Sequence, residues 1–264
     1  MLEIKSVNKG AELVSVTLDG EEKLHDGKNS WNRHSPVLFP IVGKLKDGVT
    51  LIEENPFEMG QHGFARDMEF EKISDDSYIL KSNEETLKKY PYKFELYVSY
   101  VIQENTLITK YKVKNIDNRR IVFGIGAHPA FKCNYPNCKI KFEKEEDQIE
   151  IYMLKDGLVV PEKLDTNKFI QNNEINLNRD TFKNLKSNKV FLIEEGKQKL
   201  EFDFSKFNYL AIWSKIDATF LCIEPWMNTA DKIDSDGVFE HKEDILSLNP
   251  NEEFEIEYKV KFDK

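Results

Sequence analysis

Two stretches joined by a two-residue turn constrain the fold more than any other feature of the chain. Phe94, Leu96, Val98, Tyr100 and Ile102 alternate with Glu95, Tyr97, Ser99 and Val101. After Glu104-Asn105, Leu107, Thr109, Tyr111 and Val113 alternate with Ile108, Lys110 and Lys112. A strand sends successive side chains to opposite faces, so this pattern predicts a long antiparallel hairpin with one face inward. The same period recurs along the chain. Leu2 to Ser6 and Leu13 to Leu18 flank turn residues and predict a second hairpin, and Phe254 to Phe262 closes the sequence as an alternating strand. Further strands are expected around Phe70–Ile73, Tyr78–Leu80, Ile121–Ile125, Ile149–Leu154, Val190–Ile193, Leu200–Phe204, Tyr209–Trp213 and Thr219–Ile223. One short helix is expected after Asn83, whose side chain can cap it, with acids in the first turn and a stop before Pro91. Residues 132 to 188 are the least legible part. Many strands at short intervals with very little helix predict an all-β sandwich or barrel.

Length and charge exclude several classes of function. At 264 residues the chain is expected to fold as a single domain over 1–264, and it is long enough to bury a core without staples. The net charge of −9, with acids and bases interspersed, disfavours a nucleic-acid partner and an anionic membrane surface. There is no apolar run of transmembrane length, and the first residues alternate like a strand and not like a signal peptide. With Cys133, Cys138 and Cys222 as the only cysteines, a cytoplasmic location is expected. One C-x4-C pair with no second pair nearby makes loop or core thiols a better reading than zinc.

Three polar residues stand at strand ends beside stiff or permissive backbone. His128 lies in Gly124-Ile-Gly-Ala-His-Pro-Ala-Phe131, where Pro129 biases it towards extended conformations and Gly124 and Gly126 allow a close approach. Glu224 follows an apolar strand and precedes Pro225 and Trp226, and His62 precedes Gly63 in Gln61-His-Gly-Phe-Ala-Arg66. Taken singly, each has an ordinary reading: a packed histidine, a carboxylate paired with a lysine, a histidine bonding its own loop. A fourth segment, Pro36 to Gly43, has two prolines and a glycine around an apolar core and reads as an irregular or edge strand. His25, His34 and His241 lie in polar loops and are expected to be exposed.

In their order along the chain, these four segments resemble those of the aldose 1-epimerase (galactose mutarotase-like) family, most of all its bacterial branch of LacX-type proteins. The resemblance implies a large twisted two-sheet β-sandwich, the galactose mutarotase-like supersandwich, with a cleft across one face. It implies a mutarotase that interconverts the α and β anomers of a hexose, with Glu224 as catalytic base and His128 as catalytic acid. Residue chemistry agrees as to type, since an imidazole suits an acid regenerated in each half-reaction and a carboxylate beside an indole suits a desolvated base. Ring opening and closing by proton transfer asks for no cofactor and no metal, and each positioned transfer is worth roughly 10² to 10⁴ in rate.

His62 matches the family's substrate-binding histidine. Arg66 matches an arginine associated with phosphate in the hexose 6-phosphate branch, with Arg33 as a second candidate; a simple pair with Asp67 stays open. Lys44 stands where galactose-type members carry arginine after the apolar run, which leaves the sugar preference open. Trp226 could pack on a sugar's C–H face. The family's usual substrate-binding aspartate finds no clear match. The expected partner is a small-molecule sugar, either a free hexose or a hexose phosphate, handled by a monomer or homodimer. A hexose-6-phosphate 1-epimerase and a non-catalytic carbohydrate-binding or sensing protein are the alternatives. A glycoside hydrolase would call for two carboxylates flanking one bond, and only Glu224 stands out.

Overall fold

The computed structural model describes all residues except 29–30, 135–136, 147–149, 161–169, 172–173, 176–179 and 216–217. The predicted hairpin is its axis: Phe94–Gln103 and Thr106–Asn115 pair in unbroken register around the Glu104-Asn105 turn. Leu96, Val98 and Tyr100 on one strand lie opposite Val113, Tyr111 and Thr109 on the other, and all six are buried. The inward pattern fails at the tip, where Ile102 is 39% exposed. The next strand, Ser77–Lys81, reaches only as far as the Ser77–Ser99 pair, so the tip projects past its neighbour and its side chains stay in water.

Around this hairpin lies a ten-stranded antiparallel sheet. It runs from Glu71–Ser74 and Ser77–Lys81 through the hairpin to Glu253–Phe262, Lys197–Asp203, Lys189–Glu194 and Cys138–Phe142, with Glu174–Ile175 and Ile170–Gln171 beyond. A second sheet of eight strands has Phe220–Trp226 at its centre. Tyr209–Trp213, Asp180–Lys183, Glu150–Lys155 and Leu158–Val160 follow on one side. On the other side are Gly126–Ala127 and, at the edge, Val37–Leu38, while Ala130–Lys132 pairs with the central strand as well. Aromatic rings join the layers: Phe131 packs on Phe202 and Phe262, and Phe142 packs edge-on against Phe182. This is a two-sheet β-sandwich.

The helix expected after Asn83 is a single turn, Glu84–Leu87. The Asn83 side chain accepts from the Glu85 and Thr86 amides, and the Thr86 hydroxyl accepts from the Asn83 amide. Pro36 to Gly43 contributes only the two-residue edge strand Val37–Leu38 and then turns through a cis Phe39–Pro40 bond. Its Phe39 ring sits fully buried among Phe64, Tyr90, Phe94 and Phe123. Burying a ring of that size stabilises by about 2–3 kcal/mol, so the segment is pinned to the core despite its irregular backbone. In the illegible region, the Asp156-Gly157 turn joins Glu150–Lys155 to Leu158–Val160 as the sequence suggests. Much of the loop expected between Asn167 and Leu185 lies outside the described residues.

Candidate active site

The central strand Phe220–Trp226 is buried along its whole length. Leu221 and Ile223 face the sandwich core, whereas Cys222, Glu224 and Trp226 face away from it. Register explains how His128 reaches Glu224. Gly126 pairs with Trp226 and Ala130 pairs with Cys222, so the residue midway between the first two, His128, falls opposite Glu224 on the same face. His128 Nε2 lies 3.1 Å from Glu224 Oε2. The backbone is fixed on both sides: the His128 amide donates to Pro36 O and the Ile223 amide donates to Pro129 O. The two flanking glycines are needed for space. A Cβ on Gly126 would lie 2.8 Å from the Trp226 indole, and one on Gly124 would lie 2.4 Å from the Asn228 amide.

His62 approaches the pair from a separate turn. Its own φ is +67° and that of Gly63 is +71°, which places the turn in the left-handed region. Gly63 packs so closely that a Cβ there would lie 2.2 Å from the Phe39 carbonyl oxygen. The His62 amide donates to Gly43 O, and the Gly43 amide donates to His62 Nδ1. That second bond fixes the tautomer: Nδ1 accepts, so the proton sits on Nε2. The His62 ring meets His128 edge-on at 5.5 Å and leans towards Trp226 at 5.9 Å.

Burial dominates the electrostatics. It pushes Glu224 well above the ordinary carboxylate range, and the Trp226 indole and the Arg66 charge pull it back only in part. It pushes the His128 imidazole down to about 3, with the Arg66 charge acting in the same direction. His62 is driven well below its ordinary value, also by burial first and then by His128. Burial thus favours the uncharged form of both, a protonated carboxyl beside a neutral imidazole, with Glu224 Oε2 3.1 Å from His128 Nε2. Glu224 Oε2, His128 Nδ1, Trp226 Nε1 and both ends of the Asn228 amide are buried with no protein hydrogen-bond partner among the described residues. A cluster of such atoms suits a ligand with many hydroxyls.

Arg66 donates to the Gln61 carbonyl, and burial pushes its guanidinium down to about 10. Arg33 donates to Asp67, which also lies 4.0 Å from Arg66 Nε, so two arginines share one carboxylate beside the His62 turn. Lys44 is placed differently from the other candidates. Its ammonium donates to the Asp156 carbonyl and its stem lies along the Asp156-Gly157 turn.

Two aromatic residues near the pair were not singled out by the sequence. Trp31 stacks on His128 at 4.8 Å, and Trp213 meets it edge-on at 5.6 Å. Alternation in Tyr209–Trp213 could have found the second, since Trp213 pairs with Cys222 and so shares the face of Glu224. Nothing in the sequence marks Trp31, which arrives from a loop. His25 corrects an expectation of exposure: it is 3% exposed. Its Nε2 lies 2.8 Å from the Trp31 carbonyl and its ring packs on Phe220 at 4.2 Å, because its backbone is drawn in by a bond to Ala130 O. His34 is partly covered, while His241 is exposed as expected. His128, Cys222 and Glu224 bring ligand-type atoms within 4.8 Å of one another, a donor set that zinc also accepts.

A sandwich with these converging residues is of the galactose mutarotase-like class. The chain belongs to the aldose 1-epimerase family, whose model matches residues 1–261. It is 30% identical over 270 residues to the plasmid LacX protein of Lactococcus lactis subsp. lactis, covering 91% of this chain and 90% of that protein. Among solved structures it is similar to a galactose mutarotase related enzyme from Lactobacillus acidophilus, with 30% identity and a TM-score of 0.86 over 100% of this chain and 95% of the other. It is also similar to a galactose mutarotase-like protein from Lactobacillus casei, with 26% identity and a TM-score of 0.87 over 99% and 97% of the two chains. Among the described residues no helix is long and apolar enough to cross a membrane.

Proposed function

We propose that the protein is an aldose 1-epimerase that interconverts the α and β anomers of a hexose through the open-chain aldehyde. The observation that carries this reading is the buried His128–Glu224 pair at 3.1 Å, set on adjacent strands so that neither can drift from the other. Ring opening removes the proton from the anomeric hydroxyl and delivers one to the ring oxygen. Rotation about C1–C2 and closure on the other face reverse both transfers. The pair holds one mobile proton throughout, so each half-reaction begins with a group that can accept and a group that can donate.

In this reading Glu224 is the base and His128 the acid. The resting proton favours Glu224, so it crosses to His128 when sugar hydroxyls hydrogen-bond the carboxylate and stabilise its charged form. His62 presents a fixed Nε2–H to a sugar oxygen, and Trp226 offers a flat apolar wall. Trp31 walls the opposite side of the His128 ring. Anomer exchange measured by NMR with glucose and galactose tests the proposal. Acceleration that is lost in Glu224→Gln supports it.

A second reading, a hexose-6-phosphate 1-epimerase, is favoured by the Arg33 and Arg66 guanidinium groups around Asp67 at the His62 turn. Arginine forks match phosphate oxygens. Glucose 6-phosphate run in parallel decides: acceleration of the phosphate alone, weakened in Arg66→Gln, moves the assignment there. Binding of sugars with no acceleration at all supports a carbohydrate-binding or sensing protein instead.

A further inference from the structure

The Cys133-x4-Cys138 pair is not used by the sugar chemistry, and its geometry is unusual. The two Sγ atoms are 2.8 Å apart and both residues are buried. Although they are close in sequence, they belong to different layers. Cys133 extends Ala130–Lys132 of the cleft sheet, its amide donating to Thr219 O across from the central strand. Cys138 opens Cys138–Phe142 of the ten-stranded sheet, opposite Glu194. A covalent bond between them would therefore tie one sheet of the sandwich to the other, five residues beyond His128.

Access and reactivity are both present. Cys133 lines an open cavity of about 290 Å³ whose walls include Lys23, Lys132 and Lys199 together with Glu194. Small reagents can enter a space of that size, whose wall is of mixed charge, with Glu21 and Glu22 beside the lysines. Donation from Cys133 holds the Cys138 thiol below its ordinary range and the Cys133 thiol above its own, so Cys138 is the more readily ionised of the two. Cys222, buried behind the catalytic pair, is pushed the other way by burial and by Glu224, which keeps it an inert thiol.

We propose that Cys133 and Cys138 form a reversible dithiol–disulfide site that staples the two sheets together when a low-molecular-weight disulfide such as oxidised glutathione is present. One cysteine thiolate attacks the reagent's S–S bond and releases one reagent thiolate, leaving a mixed disulfide. The second cysteine sulfur attacks the protein sulfur of that bond. Its proton passes to the second departing thiolate, so two electrons move from the protein thiols to the reagent, which leaves as two thiols. A reductant of the same class reverses both steps. The site is independent of whether the protein turns over a sugar.

Tryptic mapping of the whole protein tests this directly, because Cys133 and Cys138 fall in one peptide, Cys133–Lys139, after cleavage at Lys132 and Lys139. After incubation with oxidised glutathione, denaturation and alkylation, the count of free thiols is expected to fall from three to one. The peptide should be unalkylated and two hydrogens lighter, and reductant should restore it. Oxidation should also raise Tm by roughly 4–8 °C, the scale for closing so short a loop. That rise should vanish in Cys133→Ala and in Cys138→Ala. A doubly alkylated peptide, a stable glutathione adduct on either cysteine, or a bond to Cys222 would overturn the proposal. Should either variant fail to fold, the wild-type peptide alone decides.

Discussion

Buried as they are, His128 and Glu224 should give the protein's stability two pH dependences of opposite sign, and substitution can separate them. Burial lowers the His128 imidazole from an ordinary 6.5 to about 3 in the folded protein. The stability it contributes by staying neutral is fully present above its unfolded value and is lost as pH falls towards 3. From pH 6.5 to 4.5 the unfolded chain takes up a proton that the folded chain refuses, a cost of roughly 2 kcal/mol, since the slope reaches about 1.4 kcal/mol per pH unit only once the unfolded imidazole is mostly protonated. Glu224 runs the other way, since its folded value is raised. The folded chain holds a proton that the unfolded chain has released, so stability rises as pH falls towards 4.5 and is lost as pH rises through the folded value.

In the wild type the two slopes offset. Each shift comes mainly from burial and not from the partner, so removing one residue leaves the other's slope in place. Urea unfolding between pH 6.5 and 4.5, referenced to the double variant Glu224→Gln/His128→Asn, should show Glu224→Gln losing about 2 kcal/mol and His128→Asn gaining stability over the same range. Parallel profiles for the two single variants would refute the claim that the pair rests as neutral imidazole and protonated carboxyl.

Other outcomes follow from the site's construction. Gly63→Ala puts a Cβ 2.2 Å from the Phe39 carbonyl oxygen at a φ of +71°. Urea unfolding should therefore show a loss of at least about 2 kcal/mol, and a wild-type midpoint would contradict the packing described. Trp31→Ala removes the ring stacked on His128 and should lower anomer exchange by about tenfold; an unchanged rate would remove Trp31 from the site. Treatment with a strong chelator should leave the exchange rate unchanged, because the proposed chemistry is proton transfer alone. A rate lost on chelation and restored by zinc would instead make His128, Cys222 and Glu224 a metal site.

Much of this was legible from the chain alone, for reasons that can be named. Alternation located the Phe94–Gln103 and Thr106–Asn115 hairpin because one face of each strand is buried and the other wet. It said less about Phe220–Trp226, which is buried on both faces and reads as a continuous apolar run holding one carboxylate. The Ala-His-Pro and Glu-Pro-Trp stretches stand out because proline restricts the backbone beside each candidate side chain. Their meeting, however, depends on the pairing of Gly126 with Trp226 and of Ala130 with Cys222, long-range register that no local pattern encodes. His25 misled for a related reason: a polar stretch of sequence is drawn under Trp31 by one backbone bond to Ala130. The Cys133 and Cys138 thiols read as an unremarkable pair until the layers they belong to were known.

The central claim is that proton transfer by His128 and Glu224 opens and closes a sugar ring. Its most direct test is anomer exchange of glucose, galactose and glucose 6-phosphate followed by NMR at equilibrium, with wild type and Glu224→Gln side by side. The account predicts accelerated exchange by the wild type, reduced by roughly 10² or more in the variant, with the variant at least as stable as the wild type at neutral pH because it no longer carries a buried carboxyl whose raised range costs stability there. Acceleration that survives Glu224→Gln undiminished would contradict it.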